Sequence, residues 1–286
     1  MEKIKPRAVQ SKDIHTLKKK TADSFSFEWT RFHELKSEKG FLEFVSPIDR
    51  DFFNNKRVLD AGCGNGSYAY YAATYGADVI AIDFSDSVSV AQENTKNMDV
   101  QVVRADITHP PFKEGVFDYI FSIGVLHHLP EPETGFHQLV PLLRQGALIS
   151  IWVYGKEKQW AAVYFYEPLI KITHRLPHRF LYYLCYVPAI IMEITNGLYL
   201  LLNKNHLTKL ASLLPFRYYA DYPFSVKLND SFDVFATPSA QYYTEKEILE
   251  WFTRSNLTDI TITTAGISKG IKGFGIKNER IPDCSL

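Results

Sequence analysis

The sequence predicts an α/β fold: a doubly wound, mostly parallel sheet with a terminal antiparallel strand and a helical insertion. Three observations predict it. Short β-branched runs alternate with helical stretches, a glycine-rich turn directly follows the first run, and an aromatic-rich segment interrupts the alternation until Thr244. Strand–helix alternation favours an open sheet with right-handed crossovers. Ligands in such sheets bind at the carboxyl ends of the strands.

Each predicted element has a local signature. Buried parallel strands are predicted at residues 57–60, 78–83, 100–104, 117–123 and 147–153, where apolar residues follow one another. Helices are predicted at 67–75, closed by Gly76, at 85–97, opened by a Ser/Asp cap, and at 131–143. After the interruption, Thr244 caps a helix at 244–255. Strands at 259–264 and 270–277 follow, and they are close enough in sequence to pair as a hairpin that adds an antiparallel strand.

Composition excludes several classes of protein. The 32 Lys and Arg residues balance 32 Asp and Glu residues, so the chain lacks the positive field of a dedicated nucleic-acid binder. The three cysteines and nine histidines show no spacing of metal ligands or of a disulfide framework, and we expect no metal. Residues 1–20 carry seven basic and two acidic side chains without an apolar run, which predicts a mobile basic arm in a cytoplasmic protein.

A glycine turn is the clearest motif. Gly62, Gly64 and Gly66 follow the first strand, and glycine permits positive φ and close approach of a ligand to the backbone. The dinucleotide fingerprint needs its third glycine at position 67, which is Ser67 here. The turn therefore does not predict a pyrophosphate site.

Carboxylates stand at the ends of the first three strands. Asp60 precedes the first glycine, Asp83 closes the second strand and Asp106 follows the third. Carboxylates accept hydrogen bonds from ammonium groups, ribose hydroxyls and exocyclic amines. The set suits an adenosyl ligand that bears an amine and a sulfonium.

Together with the segments 117–129 and 142–148, these motifs resemble the successive motifs of class I S-adenosylmethionine-dependent methyltransferases, which are Rossmann-like. The resemblance covers roughly residues 52–153 and implies S-adenosylmethionine as cofactor. It places the three glycines near the methionine part, Asp83 on the ribose and Asp106 on the adenine amine. The remaining cofactor-binding residues that it implies lie on the same strand ends: Asp60, Phe84, Ala105, Ile107, Ser122, Ile123 and Gly124.

Catalysis of methyl transfer needs few dedicated groups, because the donor is already activated and alignment supplies much of the acceleration. His127 and His128 follow the fourth strand and are candidates for a general base. The alternative is that one of them caps or packs against the helix that starts nearby. Catalytic residues therefore need not be visible in the sequence.

Two further segments are candidates for acceptor recognition. Residues 25–32 precede the core, where Trp29 covers the cofactor and Arg31 pairs with a carboxylate, or where the segment is an amphipathic helix on the sheet. A polar-aromatic loop is predicted at 230–244. Its candidate substrate-binding residues are Asp230, Asp233, Tyr242 and Tyr243.

The aromatic insertion contains 16 aromatic residues among the 74 positions 151–224. Residues 180–202 contain Glu193 as their one charge and are long enough to span a bilayer, but Pro188, Asn196 and other polar groups near the middle disfavour a span. A lid, a dimer interface and peripheral membrane contact stay open. The chain is accordingly expected to be a monomer or homodimer, cytoplasmic or membrane-associated.

The sequence thus predicts four regions: a basic arm and cofactor-covering segment at 1–50, a cofactor-binding core at 51–154, a helical insertion at 155–240 and a closing helix and hairpin at 241–286. The expected function is methyl transfer to a small or medium metabolite, with an oxygen acceptor preferred to nitrogen or carbon. Modification of a tRNA wobble uridine and a catalytically silent cofactor-binding partner are the alternatives.

Overall fold

The computed structural model describes residues 11–156, 167–238, 240–265 and 270–278. Two compact units are present, the first within residues 1–159 and 239–286 and the second within residues 160–238. The first unit is a layered α/β structure and the second is helical. Each is described by itself.

The first unit is built on a mostly parallel sheet. Among the described residues it has seven strands in the order β3-β2-β1-β4-β5-β7-β6. Their bounds are β1 Arg57–Ala61, β2 Asp78–Asp83, β3 Val100–Arg104, β4 Phe117–Ile123, β5 Leu143–Val153, β6 Leu257–Ala265 and β7 Gly270–Lys277. The predicted fold class is confirmed. The last strand, β7, pairs antiparallel with both neighbours and lies between β5 and β6.

Helices cover both faces of the sheet. They are α1 Ser11–Arg31, α2 Glu38–Val45, α3 Ser67–Thr74, α4 Val88–Thr95, α5 Pro132–Leu139 and, after the second unit, α11 Glu245–Arg254. The predicted cap of α11 is present, because Thr244 and Glu247 form a reciprocal capping box. Helix α4 is shorter than predicted because the Ser85 hydroxyl bonds Asp83 and Ser87 rather than capping the helix.

Two apolar clusters, one on each side of the sheet, hold these layers together. One contains Phe136 of α5 and Trp251 and Phe252 of α11, and the other contains Phe41 of α2 with Phe53 and Tyr119. Each of these rings is less than a tenth exposed. Burial of one such side chain contributes about 1.5–3 kcal/mol, so the clusters fix the strand ends that carry the glycine turn.

The predicted mobile arm is partly wrong. Residues 11–20 form the start of the 21-residue helix α1, while residues 1–10 lie outside the described part of the chain. The basic residue Lys18 is tied down, because its ammonium bonds Asp106 and Thr108. Because these residues are helical and polar contacts hold Lys18, they are not a mobile tail.

The second unit consists of helices. Their bounds are α6 Glu167–Thr173, α7 His178–Leu184, α8 Tyr186–Lys204, α9 Thr208–Ala211 and α10 Phe224–Ala236. The predicted loop at Asp230 and Asp233 is wrong, since both lie within α10. An ion pair joins α8 to α10, where buried Lys227 donates to Glu193 at 2.6 Å.

Candidate functional site

The glycine turn follows β1 and leaves no space for side chains. Gly62, Gly64 and Gly66 all have positive φ, of 94°, 53° and 80°. A Cβ at Gly62 would lie 2.4 Å from Val125, and one at Gly66 would lie 2.9 Å from the Cα of Ala91. The backbone amides of Gly62 and Cys63 both donate to the Ile82 carbonyl of β2. The turn is therefore held against β2, and its glycines are sterically required.

Asp83 connects the turn to β2. Its Oδ2 accepts from the Gly64 amide at 3.0 Å, and its Oδ1 accepts from the Ser85 amide at 2.8 Å and hydroxyl at 2.7 Å. These bonds orient the carboxylate and the turn together, as a ribose-binding acid requires. Each carboxylate oxygen has two acceptor lone pairs, so Oδ2 keeps capacity for a further hydroxyl donor.

Asp60 lies behind the turn and is almost completely buried. Its Oδ2 has no hydrogen-bond partner within the part of the chain that the structure describes. Burial, and next the charge of Asp83, raise the pKa of Asp60 well above its ordinary value. A buried acid in that state gains most from a cationic ligand, which restores the ionised form.

Asp106 follows β3 and is engaged by helix α1. Its Oδ1 accepts from the Thr108 amide at 2.9 Å and hydroxyl at 2.8 Å, while Lys18 donates to its Oδ2 at 2.5 Å. Burial raises the pKa of Asp106, but the bonds from Lys18 and Thr108 outweigh it and leave the pKa below its ordinary value. Asp106 is thus ionised, and in this conformation Lys18 holds the oxygen that an adenine amine would use.

One face of α1 covers the strand ends. Trp29 lies against Gly64, with its indole 3.0 Å from where a Cβ would stand. Thr21 and Ser24 are buried, and neither hydroxyl has a hydrogen-bond partner among the residues described. Glu28 is buried one turn further along the helix. These two hydroxyls have hydrogen-bonding capacity left for a polar ligand or for water.

The placement of Trp29 agrees with a cofactor-covering role, which stays a prediction. Arg31 is exposed at the end of α1, with its guanidinium 5.4 Å from the Phe27 ring centroid, so the structure does not bring it to the covered face. Sequence reasoning missed Lys18, Thr21 and Ser24. The signal was present, since positions 18, 21, 24 and 28 are three or four residues apart, as on one face of a helix.

His127 and His128 lie in a 3-10 turn directly after β4. Both are buried, and neither ring nitrogen of His127 has a hydrogen-bond partner in the described ranges. Burial, and next the proximity of His128, lower the pKa of His127 well below its ordinary value. The imidazole of His127 is therefore neutral at pH 7, with one ring nitrogen that can accept a hydrogen bond.

Aromatic rings surround the two histidines. The Tyr154 ring lies 3.9 Å from the His127 ring, and the Phe25 ring of α1 lies 5.1 Å from the His128 ring, centroid to centroid. Tyr242 stacks on Tyr154 at 5.7 Å. The predicted residue Tyr242 is therefore brought to the histidines. Tyr154 and Phe25 were not predicted there.

The other predicted residues pack against α11, lie in the second unit or lie at the strand ends. Tyr243 packs on Trp251 and donates to Gln241 at 3.0 Å. In the second unit, Asp230 accepts from Tyr219 at 2.6 Å and Asp233 accepts from Thr237 at 3.2 Å, so both carboxylates have partners within that unit. The strand-end residues Ser122, Ile123 and Gly124 lie at the carboxyl end of β4, where the Ser122 hydroxyl bonds the Ala61 carbonyl. Phe84, Ala105 and Ile107 lie beside Asp83 and Asp106 in the chain.

The described residues contain no group of three or more side chains arranged as metal ligands. What they do provide is a glycine cradle, acids at three strand ends and buried polar atoms without partners. These groups fit a ligand with an adenosyl part and a positive charge. Asp60, Asp83 and Asp106 would hold its cationic part, its hydroxyls and its amine.

Comparison with known proteins agrees with this geometry. A family model described as a methyltransferase domain matches residues 59–151. The chain is 30% identical to phosphoethanolamine N-methyltransferase 2 of Caenorhabditis elegans, over 46% of this chain and 32% of that protein. It is 29% identical to a ubiquinone biosynthesis O-methyltransferase of Alkalilimnicola ehrlichii, over 41% of this chain and 52% of that protein. The chain spans about a quarter to a half of the length of such curated relatives.

A solved structure shares the fold over most of the chain. It is a methyltransferase in complex with the Haloferax volcanii Trm112 methyltransferase activator, with a TM-score of 0.52. The two are 11% identical, and the match covers 92% of this chain and 98% of that one. At this identity the match shows the fold alone.

Proposed function

We propose that the chain, whose residues 59–151 match a family model described as a methyltransferase domain, transfers a methyl group from S-adenosylmethionine to an oxygen of a small aromatic acceptor. The choice of acceptor class rests on one observation: His127 is buried and neutral, and aromatic rings enclose it. The O- and N-methyltransferases among the relatives support methyl transfer to small molecules and leave the acceptor atom to be tested.

The strand ends would bind the cofactor in parts. Asp83 is oriented by three hydrogen bonds to take the ribose hydroxyls, and Asp106 is ionised to take the adenine amine. The glycine turn permits the methionine part to approach the backbone, and Asp60 supplies negative charge beneath it. When bound, S-adenosylmethionine would supply a methyl group that its attachment to a sulfonium activates for transfer.

His127 has the properties that a hydroxyl acceptor requires. A phenol with a pKa near 10 carries its proton at pH 7, so a proton acceptor accelerates its methylation. One ring nitrogen of neutral His127 carries a lone pair and would take that proton, while the tightly packed Tyr154 ring restricts the imidazole. Tyr154, Tyr242 and Phe25 offer flat apolar walls that suit a planar acceptor.

The experiment measures production of S-adenosylhomocysteine with a phenol, a catechol, a primary amine and total RNA as acceptors. We expect turnover with the phenol or catechol, and we expect His127→Ala to lower kcat by about 10²–10⁴-fold with unchanged cofactor Kd. His137→Ala is the matched control, because His137 lies on α5 and bonds Ser255.

Other outcomes identify other functions. Turnover with the amine alone would show that the acceptor atom is nitrogen rather than oxygen. An RNase-sensitive product would indicate that the acceptor is RNA. Cofactor binding without turnover on any acceptor, including a cell extract, would indicate a silent cofactor-binding partner. Full activity of His127→Ala would exclude His127 as the proton acceptor.

A further inference from the structure

The second unit exposes an unusual amount of apolar side chain. Within the described residues, fifteen of the nineteen exposed large apolar side chains lie between Leu169 and Leu213. Large contiguous apolar patches on soluble proteins mark interaction surfaces. The concentration in one segment indicates a surface with a binding role.

These side chains form a stripe on helix α8. Val187, Ile191, Ile194, Leu198 and Leu201 follow one another at spacings of three and four residues, and each is 43% to 66% exposed. We call these five residues the apolar stripe. Residues of α8 between the stripe positions, Ala189 and Asn196, are buried instead. Helix α8 therefore buries one face within its own unit and presents a second, aliphatic face to solvent.

Basic side chains stand at both ends of the stripe. Arg175 and Arg179 precede it and Lys204 and Lys209 follow it, and all four are exposed. None of the four forms an ion pair with a described residue. The acidic residue within α8, Glu193, is neutralised by the ion pair with Lys227. The surface thus combines an aliphatic centre with positive ends.

We propose that the apolar stripe and its flanking basic residues dock the chain on an anionic lipid membrane, with α8 lying in the plane of the interface. Aliphatic side chains enter the acyl boundary while Arg and Lys contact lipid phosphates. The proposal goes beyond methyl transfer and does not depend on it. A second copy of the chain fits less well, because it would bring the same positive ends together.

A bilayer span is also less favourable. The stretch His178–Lys204 is long and apolar enough by composition to cross a membrane, and an 18-residue window within it has a mean hydropathy of 1.5. A spanning α8 would have to leave α10 and expose Glu193 and the buried Asn196 to hydrocarbon. Lying at the interface preserves both the ion pair and the packing.

The test is sedimentation of the full chain with vesicles of phosphatidylcholine alone or mixed equally with phosphatidylglycerol. We expect binding to the anionic vesicles that weakens with salt. Leu198→Gln should lower the partition coefficient about fivefold and Ile191→Gln/Ile194→Gln by more than tenfold. Leu249→Gln on α11 is the matched control, because Leu249 and Leu198 are both 43% exposed.

The charges are tested in the same assay. Arg175→Gln/Arg179→Gln should lower binding to anionic vesicles by about thirtyfold, whereas Lys113→Gln, which removes an exposed cation of the first unit, should not. Absence of binding, or binding unaffected by the stripe variants, would overturn the proposal. Concentration-dependent dimerisation lost on stripe substitution, without vesicle binding, would assign the surface to a second copy. Resistance to an alkaline carbonate wash would assign a span.

Discussion

Replacing Lys18 by Met tests whether helix α1 competes with the cofactor for Asp106. The Lys18 ammonium donates to Asp106 at 2.5 Å and to the Thr108 hydroxyl at 2.6 Å, and the two charged side chains are 15% and 23% exposed. Met keeps the length and the apolar stem of the side chain but removes the donor. The substitution therefore leaves an ionised Asp106 with a vacant acceptor position.

The magnitude follows from the contact that cofactor binding must break. A hydrogen bond to a charged group is worth about 1.5–3 kcal/mol, and screening at this partial exposure reduces it to about 1–2 kcal/mol. An adenine amine that donates to the same Asp106 oxygen has to overcome this amount. Lys18→Met should therefore tighten binding of S-adenosylmethionine by about 5- to 30-fold.

Isothermal titration calorimetry with S-adenosylmethionine and S-adenosylhomocysteine at pH 7 measures the change. Lys19→Met is the control, because Lys19 is exposed on the same turn of α1. Both ligands carry the adenine, so both should bind Lys18→Met more tightly. Unchanged or weaker binding would refute the competition and would make Lys18 a supporting contact of the bound state.

Three further substitutions test the site. Gly66→Ala should lower the free energy of unfolding by about 1–3 kcal/mol, because φ at this position is 80° and the new Cβ would meet Ala91. Thermal melts measure the change, and an unchanged Tm would show that glycine is not required at position 66. A raised Asp60 pKa predicts that the affinity for S-adenosylmethionine increases with pH, and Asp60→Asn should abolish this increase. Calorimetry across pH 5.5–8 measures the dependence. A wild-type-like dependence in Asp60→Asn would exclude a role for the Asp60 charge in cofactor binding. The pKa of His127 is lowered on folding, so stability should fall as pH drops below the ordinary value of 6.5, by up to about 1.4 kcal/mol per pH unit. His127→Leu should flatten this pH dependence of stability in urea melts. An unaltered slope would show that other groups take up the protons on unfolding.

Much of the cofactor site was predictable because its residues act through the backbone conformation next to them. Gly62, Gly64 and Gly66 lie in one turn, and the strand that precedes it ends where the apolar run ends. Asp83 and Asp106 follow strands that the same pattern predicts. Parallel strands bring their carboxyl ends to one edge, so these acids were expected together before any distance was known.

The covering helix was harder to predict. In the sequence alone, residues 11–20 have the composition of a basic tail. The partner that holds Lys18 is Asp106, which is 88 residues away, so no local pattern reveals the contact. The loop expected at Asp230 and Asp233 is instead part of α10, which contacts α8 through Lys227 and Glu193, 34 residues apart. Local propensity contains no information about such partners.

By itself, therefore, the sequence determined the α/β class, the glycine turn and the acids around it, because strand periodicity and glycine φ are local properties. Tertiary structure alone decided that His127 is buried and neutral, that Lys18 holds Asp106, and that the apolar stripe of α8 faces solvent. Burial, ion pairing and pKa depend on which distant groups pack against a side chain. The aromatic and aliphatic excess of the insertion is visible in the composition, but only packing shows which of its side chains are left exposed.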